Sequence, residues 1–131
     1  MTATLYYVVY AAGLTLLSLF MGSLIRNRLW TPQGMHLAVG NRDKLPPPTA
    51  ISGRADRAAM NTLENFAIFA ALALTAHVAG VDGEQVARGA AIFFWARVVY
   101  LIVYLLGVTY LRTLVWAVGL AGEIMIVAAM F

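Results

Sequence analysis

At 131 residues the chain has the size of one domain, but 62% hydrophobic and only 11% charged residues set it apart from soluble domains, which run about 45–50% apolar and about 25% charged. A water-soluble fold is excluded, because so few charges cannot solvate that much apolar surface, and lipid must be the solvent for most of the chain. The net charge of +3 comes from basic residues segregated along the chain, so it reads as orientation in a bilayer rather than a nucleic-acid footprint, and the absence of cysteine means that any thiol chemistry must use a thiol carried by a substrate.

The predicted fold is an all-α integral membrane protein, a four-transmembrane-helix bundle forming one domain over 1–131. Thr2 to Ile25 carries no charge and is long enough for the first span, 3–25, since about 20 apolar residues cross a core of about 30 Å. It lacks the basic lead-in of a signal peptide and is expected to stay in the mature chain. The segment 26–57 is the one long polar stretch and reads as an extended or irregular loop, interrupted by Leu45-Pro46-Pro47-Pro48, which forbids a continuing helix. A second span is expected over 58–80, capped near Ser52 with Asp56 in its first turn. A turn at Val81-Asp82-Gly83-Glu84 leads to the third span, 87–107. A tight connection at Gly107-Val108-Thr109-Tyr110 leads past Arg112 to the fourth, 114–131.

Six of the nine basic residues lie between spans one and two, so the positive-inside rule makes the basic loops cytoplasmic and puts both termini on the other side. The tryptophans Trp30, Trp95 and Trp116 lie at or near span ends, where interfacial anchoring is usual. Ala67, Ala70, Ala71, Ala73, Ala76 and Ala79 line the second span with small residues that let membrane helices approach closely.

The informative residues are the charges where lipid should be. An ionisable side chain at the centre of a membrane helix costs about 2.5–3.5 kcal/mol on insertion scales, so Glu64, Arg97 and Glu123 need partners or a wet cavity. Arg57, Asn61 and Glu64 follow i, i+4, i+7 on one face of the second span, and Arg97, Tyr100 and Tyr104 follow i, i+3, i+7 on one face of the third. A structural pairing of Arg97 with Glu64 or Glu123 would account for three of these residues and leave Arg57, Asn61, Tyr100 and Tyr104 unexplained. Arginines, a carboxylate, an amide and phenols together suit a small zwitterionic ligand, with its carboxylates on the arginines and its ammonium on the glutamate.

The strings Gly40-Asn41-Arg42-Asp43, Gly53-Arg54-Ala55-Asp56-Arg57-Ala58-Ala59-Met60-Asn61-Thr62-Leu63-Glu64-Asn65, Phe94-Trp95-Ala96-Arg97-Val98-Val99-Tyr100 with Tyr104, and Leu111-Arg112-Thr113 resemble the MAPEG family, membrane-associated proteins in eicosanoid and glutathione metabolism, and most closely its short bacterial branch. The resemblance covers essentially the whole chain. It implies a homotrimer in the bacterial inner membrane that binds glutathione between subunits near the cytoplasmic face. The implied activity is that of a membrane-bound, detoxifying glutathione transferase or peroxidase acting on a lipophilic second substrate. By motif, Arg57, Asn61 and Glu64 would hold glutathione from one subunit, and Arg97, Tyr100 and Tyr104 from the other. Arg112 stands roughly where the family stabilises the glutathione thiolate, and Tyr104 is the second candidate for that role. Arg26 or Arg28 loosely matches an arginine at the end of the first helix in the eicosanoid enzymes. Asn65 replaces the tyrosine that follows the glutamate there, which counts against eicosanoid specificity.

The physics of such a site is simple. A free thiol with a pKa of about 8.5 is mostly protonated at neutral pH, and a guanidinium or phenol donor lowers that pKa and supplies the nucleophilic thiolate. Proximity to an electrophile dissolved in the bilayer would do the rest. Glu123 belongs to no motif and reads as a structural partner for an arginine. His36 and His77 are isolated histidines, so no metal site is expected. A proton-coupled multidrug transporter would carry a carboxylate in the middle of the first span, which has none. The same residues would equally serve a non-enzymatic membrane scaffold that binds a ligand without turnover, and that reading stays open at this level.

Overall fold

The computed structural model describes residues 1–131 as five helices and no strands: α1 (Ala3–Asn27), α2 (Pro32–Val39), α3 (Ala50–Val78), α4 (Glu84–Leu106) and α5 (Thr109–Met130). All but α2 are long and apolar enough to cross a membrane, where a helix is the natural solution because every backbone N–H and C=O is satisfied internally.

Helix boundaries follow local chemistry. The Thr2 hydroxyl caps α1 by accepting from the Leu5 N–H, and α1 ends at Arg28, whose φ of 53° is left-handed. The polar segment after it differs from the expected irregular loop. Thr31 caps the short helix α2, which carries Pro32 at its start, a position where the missing N–H is no loss. The third element begins two turns before the expected 58, at Ala50. Its cap is Thr49 rather than Ser52: the Thr49 hydroxyl accepts from the Ser52 N–H and the Ser52 hydroxyl accepts from the Thr49 N–H, a reciprocal capping box. Asp56 therefore lies beyond the first turn, where Arg26 pairs with it at 3.6 Å. The connection before α5 is also shorter than expected. Gly107, at φ 81°, closes α4, and α5 starts at Thr109, so Arg112 lies on the first turn of a helix rather than in a loop.

The helices pack through small residues. A Cβ on Gly89 would stand 2.6 Å from the Gly122 carbonyl oxygen, and one on Gly122 would stand 2.6 Å from the Gly89 carbonyl oxygen, so α4 and α5 cross with their backbones touching. Ala11, Ala73, Ala76 and Ala90 surround Phe69 and Phe93, whose rings stack with centroids 4.1 Å apart. Leucines and valines such as Leu16, Leu74, Leu106, Val9 and Val118 are exposed on the outside, as lipid-facing residues should be. Polar side chains inside the spans bond back to their own helices: Thr15 donates to the Ala11 carbonyl and Thr62 to the Ala58 carbonyl, each at 2.8 Å.

The end of the bundle opposite the basic segment is closed by Asp82. Its carboxylate accepts from the Thr4 hydroxyl at 2.7 Å and lies 2.9 Å from His77 Nδ1, which ties the start of α1, the end of α3 and the turn before α4. The neighbouring Thr2 and Thr4 hydroxyls, with the His77 imidazole beside them, hold the Asp82 carboxyl below its ordinary value.

Candidate functional site

The polar stripes of α3 and α4 meet at two levels. At the deeper level Arg97 Nη1 donates to Asn61 Oδ1 at 3.0 Å. The Arg97 guanidinium is only 1% exposed and lies over the rings of Tyr100 and Phe93, 4.8 and 5.5 Å from their centroids, which offsets part of its desolvation. Gly119 on α5 makes the room, since a Cβ there would stand 3.0 Å from Arg97 Nη2. One turn nearer the basic end, Arg57 Nε donates to the Tyr104 hydroxyl oxygen at 3.3 Å. Arg112 lies over the Tyr104 ring, 4.7 Å from its centroid, and the Tyr100 and Tyr104 rings meet at 5.4 Å.

Both contacts form within one chain. α3 and α4 are neighbours in the same bundle, so Arg57 reaches Tyr104, and Asn61 reaches Arg97, without a second copy. Glu64, on the same stripe as Arg57, is exposed and lines neither of the polar cavities described below. The structural pairing of Arg97 with Glu64 or Glu123 does not form as an ion-pair contact. The hydrogen-bond partner of Arg97 is the Asn61 amide, and no ion pair joins Arg97 to either glutamate. Glu123 is 5% exposed and its Oε1 has no hydrogen-bond partner, like Arg97 Nε and Nη2.

Tyr104 and Arg112 form a wall shared by two small cavities. One, of about 250 Å³, is lined by Asn61, Tyr100, Thr113 and Trp116 in addition to that wall. The other, of about 230 Å³, lies toward the basic end and adds Arg54, Arg57 and Thr109, with the backbone of the Gly107 turn. Its three guanidiniums, from Arg54, Arg57 and Arg112, are engaged in no ion pair, and no carboxylate lines it. Arg54 is the residue that the sequence reading did not single out. It precedes Arg57 by three positions and so shares its face, which was the available signal, and its Nε is held by the Leu105 carbonyl at 3.2 Å, beside the side-chain-free Gly107. A wholly apolar groove of about 420 Å³ also runs between α4 and α5, lined by Ile92, Trp95, Val99, Val115 and their neighbours; it offers no group for chemistry.

Such an arrangement can bind an anion and donate hydrogen bonds to it. The Tyr104 oxygen already accepts from Arg57, so its own O–H is free to donate elsewhere. A hydroxyl polarised in this way is a better donor.

A family model described as the MAPEG family matches residues 3–131. No curated protein and no solved structure matches the chain.

Proposed function

The chain belongs to the MAPEG family and is an integral membrane protein of four spanning helices, and on that premise we propose that it is a membrane-bound glutathione-dependent transferase or peroxidase. It binds glutathione, holds the thiol as thiolate and directs it at lipophilic electrophiles or hydroperoxides. The observation that carries this reading is Tyr104, with Arg57 donating to its oxygen and Arg112 over its ring, in the wall between two polar cavities.

The chemistry follows from the groups present. The carboxylates of glutathione are matched by guanidiniums that have no acidic partner, Arg54 and Arg57, while Asn61 lines the deeper cavity and Arg97, buried behind it, holds the Asn61 amide in place; such charge-assisted bonds are about twice as strong as neutral ones. The thiolate accepts from the Tyr104 O–H and from Arg112, and each donor that favours the charged form lowers the thiol pKa. In conjugation the sulfur pair forms the C–S bond, the leaving group departs from the same carbon and the thiol proton goes to water. In peroxide reduction the O–O bond breaks as two glutathiones supply two electrons and two protons, giving an alcohol and water while their sulfurs join as glutathione disulfide. Tyr100 buttresses the Tyr104 ring.

Glu64 faces outward from the cavities of its own subunit. In a homotrimer, the assembly proposed here, it would serve the ligand ammonium at a site completed by a neighbouring copy, so that the site is shared between subunits even though the Arg57–Tyr104 wall is not. The basic segment and the site would then lie at the cytoplasmic face.

The test is ultraviolet titration of purified protein with glutathione, together with turnover of an aromatic electrophile against a protein-free blank. A thiolate absorbance below the pKa of free glutathione, with saturable turnover, is the expected result. Saturable glutathione binding without either signal would make the chain a ligand-binding scaffold, and no binding at all would sink the reading.

A further inference from the structure

The segment joining α1 to α3 carries features that the glutathione reading does not use. α1 is uncharged up to Ile25, and its 25 residues rise about 37 Å, enough to cross the apolar core and end in the headgroup layer. The chain then turns at Arg28–Thr31, where Arg28 is left-handed. A Cβ on Gly34 would overlap the carbonyl oxygens of Asn27 and Arg28, so α2 is seated directly on the end of α1. This fixes the depth of α2 at the level where α1 leaves the bilayer.

Seating α2 by its Gly34 side turns the opposite side outward. Pro32, Met35 and Val39 follow i, i+3, i+7 and form one stripe, and Met35 is 51% and Val39 79% exposed, with Trp30 beside them at 66%. No part of this chain covers these residues. The flanks are basic: Arg28, Arg42 and Lys44 are exposed and none is in an ion pair. Arg42 Nε and Nη2 both donate to the Ala38 carbonyl at 3.2 Å, which holds that charge at the end of the stripe. Asp43 is the one acid among them.

We propose that α2 and its flanks are an interfacial anchor that recognises a bilayer surface carrying anionic phospholipid headgroups, with Trp30, Met35 and Val39 entering the acyl boundary and Arg28, Arg42 and Lys44 engaging the phosphates. An apolar stripe between basic residues at headgroup depth has the chemistry of an in-plane membrane segment, and a net positive flank is complementary to an anionic leaflet. Each basic residue near such a surface favours association by about fivefold, so three together give up to roughly a hundredfold over a zwitterionic one.

The experiment uses the full chain with Trp95→Phe and Trp116→Phe, which leaves Trp30 as the only indole, reconstituted in vesicles of equal parts phosphatidylcholine and phosphatidylglycerol. Quenching of Trp30 by brominated phosphatidylglycerol, compared with brominated phosphatidylcholine, reads the relative association of the two lipids at this spot. The expected result is strong quenching with a preference of tenfold or more for phosphatidylglycerol. That preference should be lost, with quenching kept, when Arg28, Arg42 and Lys44 are changed to Gln. Equal quenching by the two lipids in the parent protein would overturn the proposal. So would Trp30 quenched by aqueous iodide and not by lipid, or shielded from both, the last being the mark of a second copy covering the stripe. Retained helicity by circular dichroism controls for folding, and none of these readouts involves glutathione.

Discussion

Arg112 and Arg57 touch the same phenol in different ways, and the difference separates their roles. Arg57 donates to the Tyr104 oxygen, whereas Arg112 stacks on the ring and lines both cavities, which leaves its N–H groups available to a ligand. Arg112→Ala should leave glutathione affinity within a few fold while raising the pKa of the bound thiol. Turnover at neutral pH then falls by about tenfold or more and partly recovers as pH rises. An unchanged thiolate titration in this variant would remove Arg112 as the activator and pass the role to Tyr104. Glu64 is the opposite case, proposed to hold the ligand ammonium while making no contact with the thiol wall. Glu64→Gln should weaken glutathione binding by roughly tenfold or more, the worth of a charge-assisted hydrogen bond of about 1.5–3 kcal/mol, without moving the thiol titration; calorimetry on the detergent-solubilised protein reads the first and ultraviolet titration the second.

At the level of elements, the site depends on how closely α4 and α5 cross, because that crossing sets where Arg112 stands relative to Tyr104. Gly89 and Gly122 leave no room for a methyl group. Gly89→Ala should therefore destabilise the bundle by about 1–3 kcal/mol through overpacking, visible as a lower thermal midpoint in detergent. A midpoint equal to that of the parent would mean that the helices can part without penalty. At the far end, the Asp82 clasp predicts a pH dependence of stability. Its folded-state pKa lies below the ordinary 3.8, so its stabilisation is fully present above that value and is lost as pH falls below it, through the depressed folded value. Thermal midpoints should decline below about pH 4, and Asp82→Asn should flatten that decline while lowering the midpoint at neutral pH. An identical acid profile in the variant would show that other carboxylates govern it.

For the whole molecule, the distribution of charge predicts an orientation by the positive-inside rule. The segment from Arg26 to Arg57 and the start of α5 share one end of the bundle, and the Asp82 clasp lies at the other. A cysteine placed at Gly40, in a chain with no native cysteine, should be labelled by impermeant maleimide only from the cytoplasmic side, and one at Gly83 only from the other side. The reverse pattern would invert the topology and with it the proposed face of glutathione entry.

The sequence alone determined the four spans, the all-helical class and the residues of the polar stripes. Lipid leaves the backbone few options and makes every buried charge stand out. Hydropathy reports where a helix meets lipid, however, and not where the helix begins. The first two turns of α3, with their Thr49–Ser52 capping box, and the short helix α2 were thus hidden in a segment that reads as loop. Periodicity placed Arg57, Asn61 and Glu64 on one face but could not say which neighbour that face meets. The tertiary structure alone decided that Arg57 reaches Tyr104, that the Asn61 amide is the hydrogen-bond partner of Arg97, and that Arg54 joins the cavity. Those pairings are set by the spacing and crossing of separate helices, which depend on backbone contacts such as Gly89 on Gly122 and are not written in the period of any one helix.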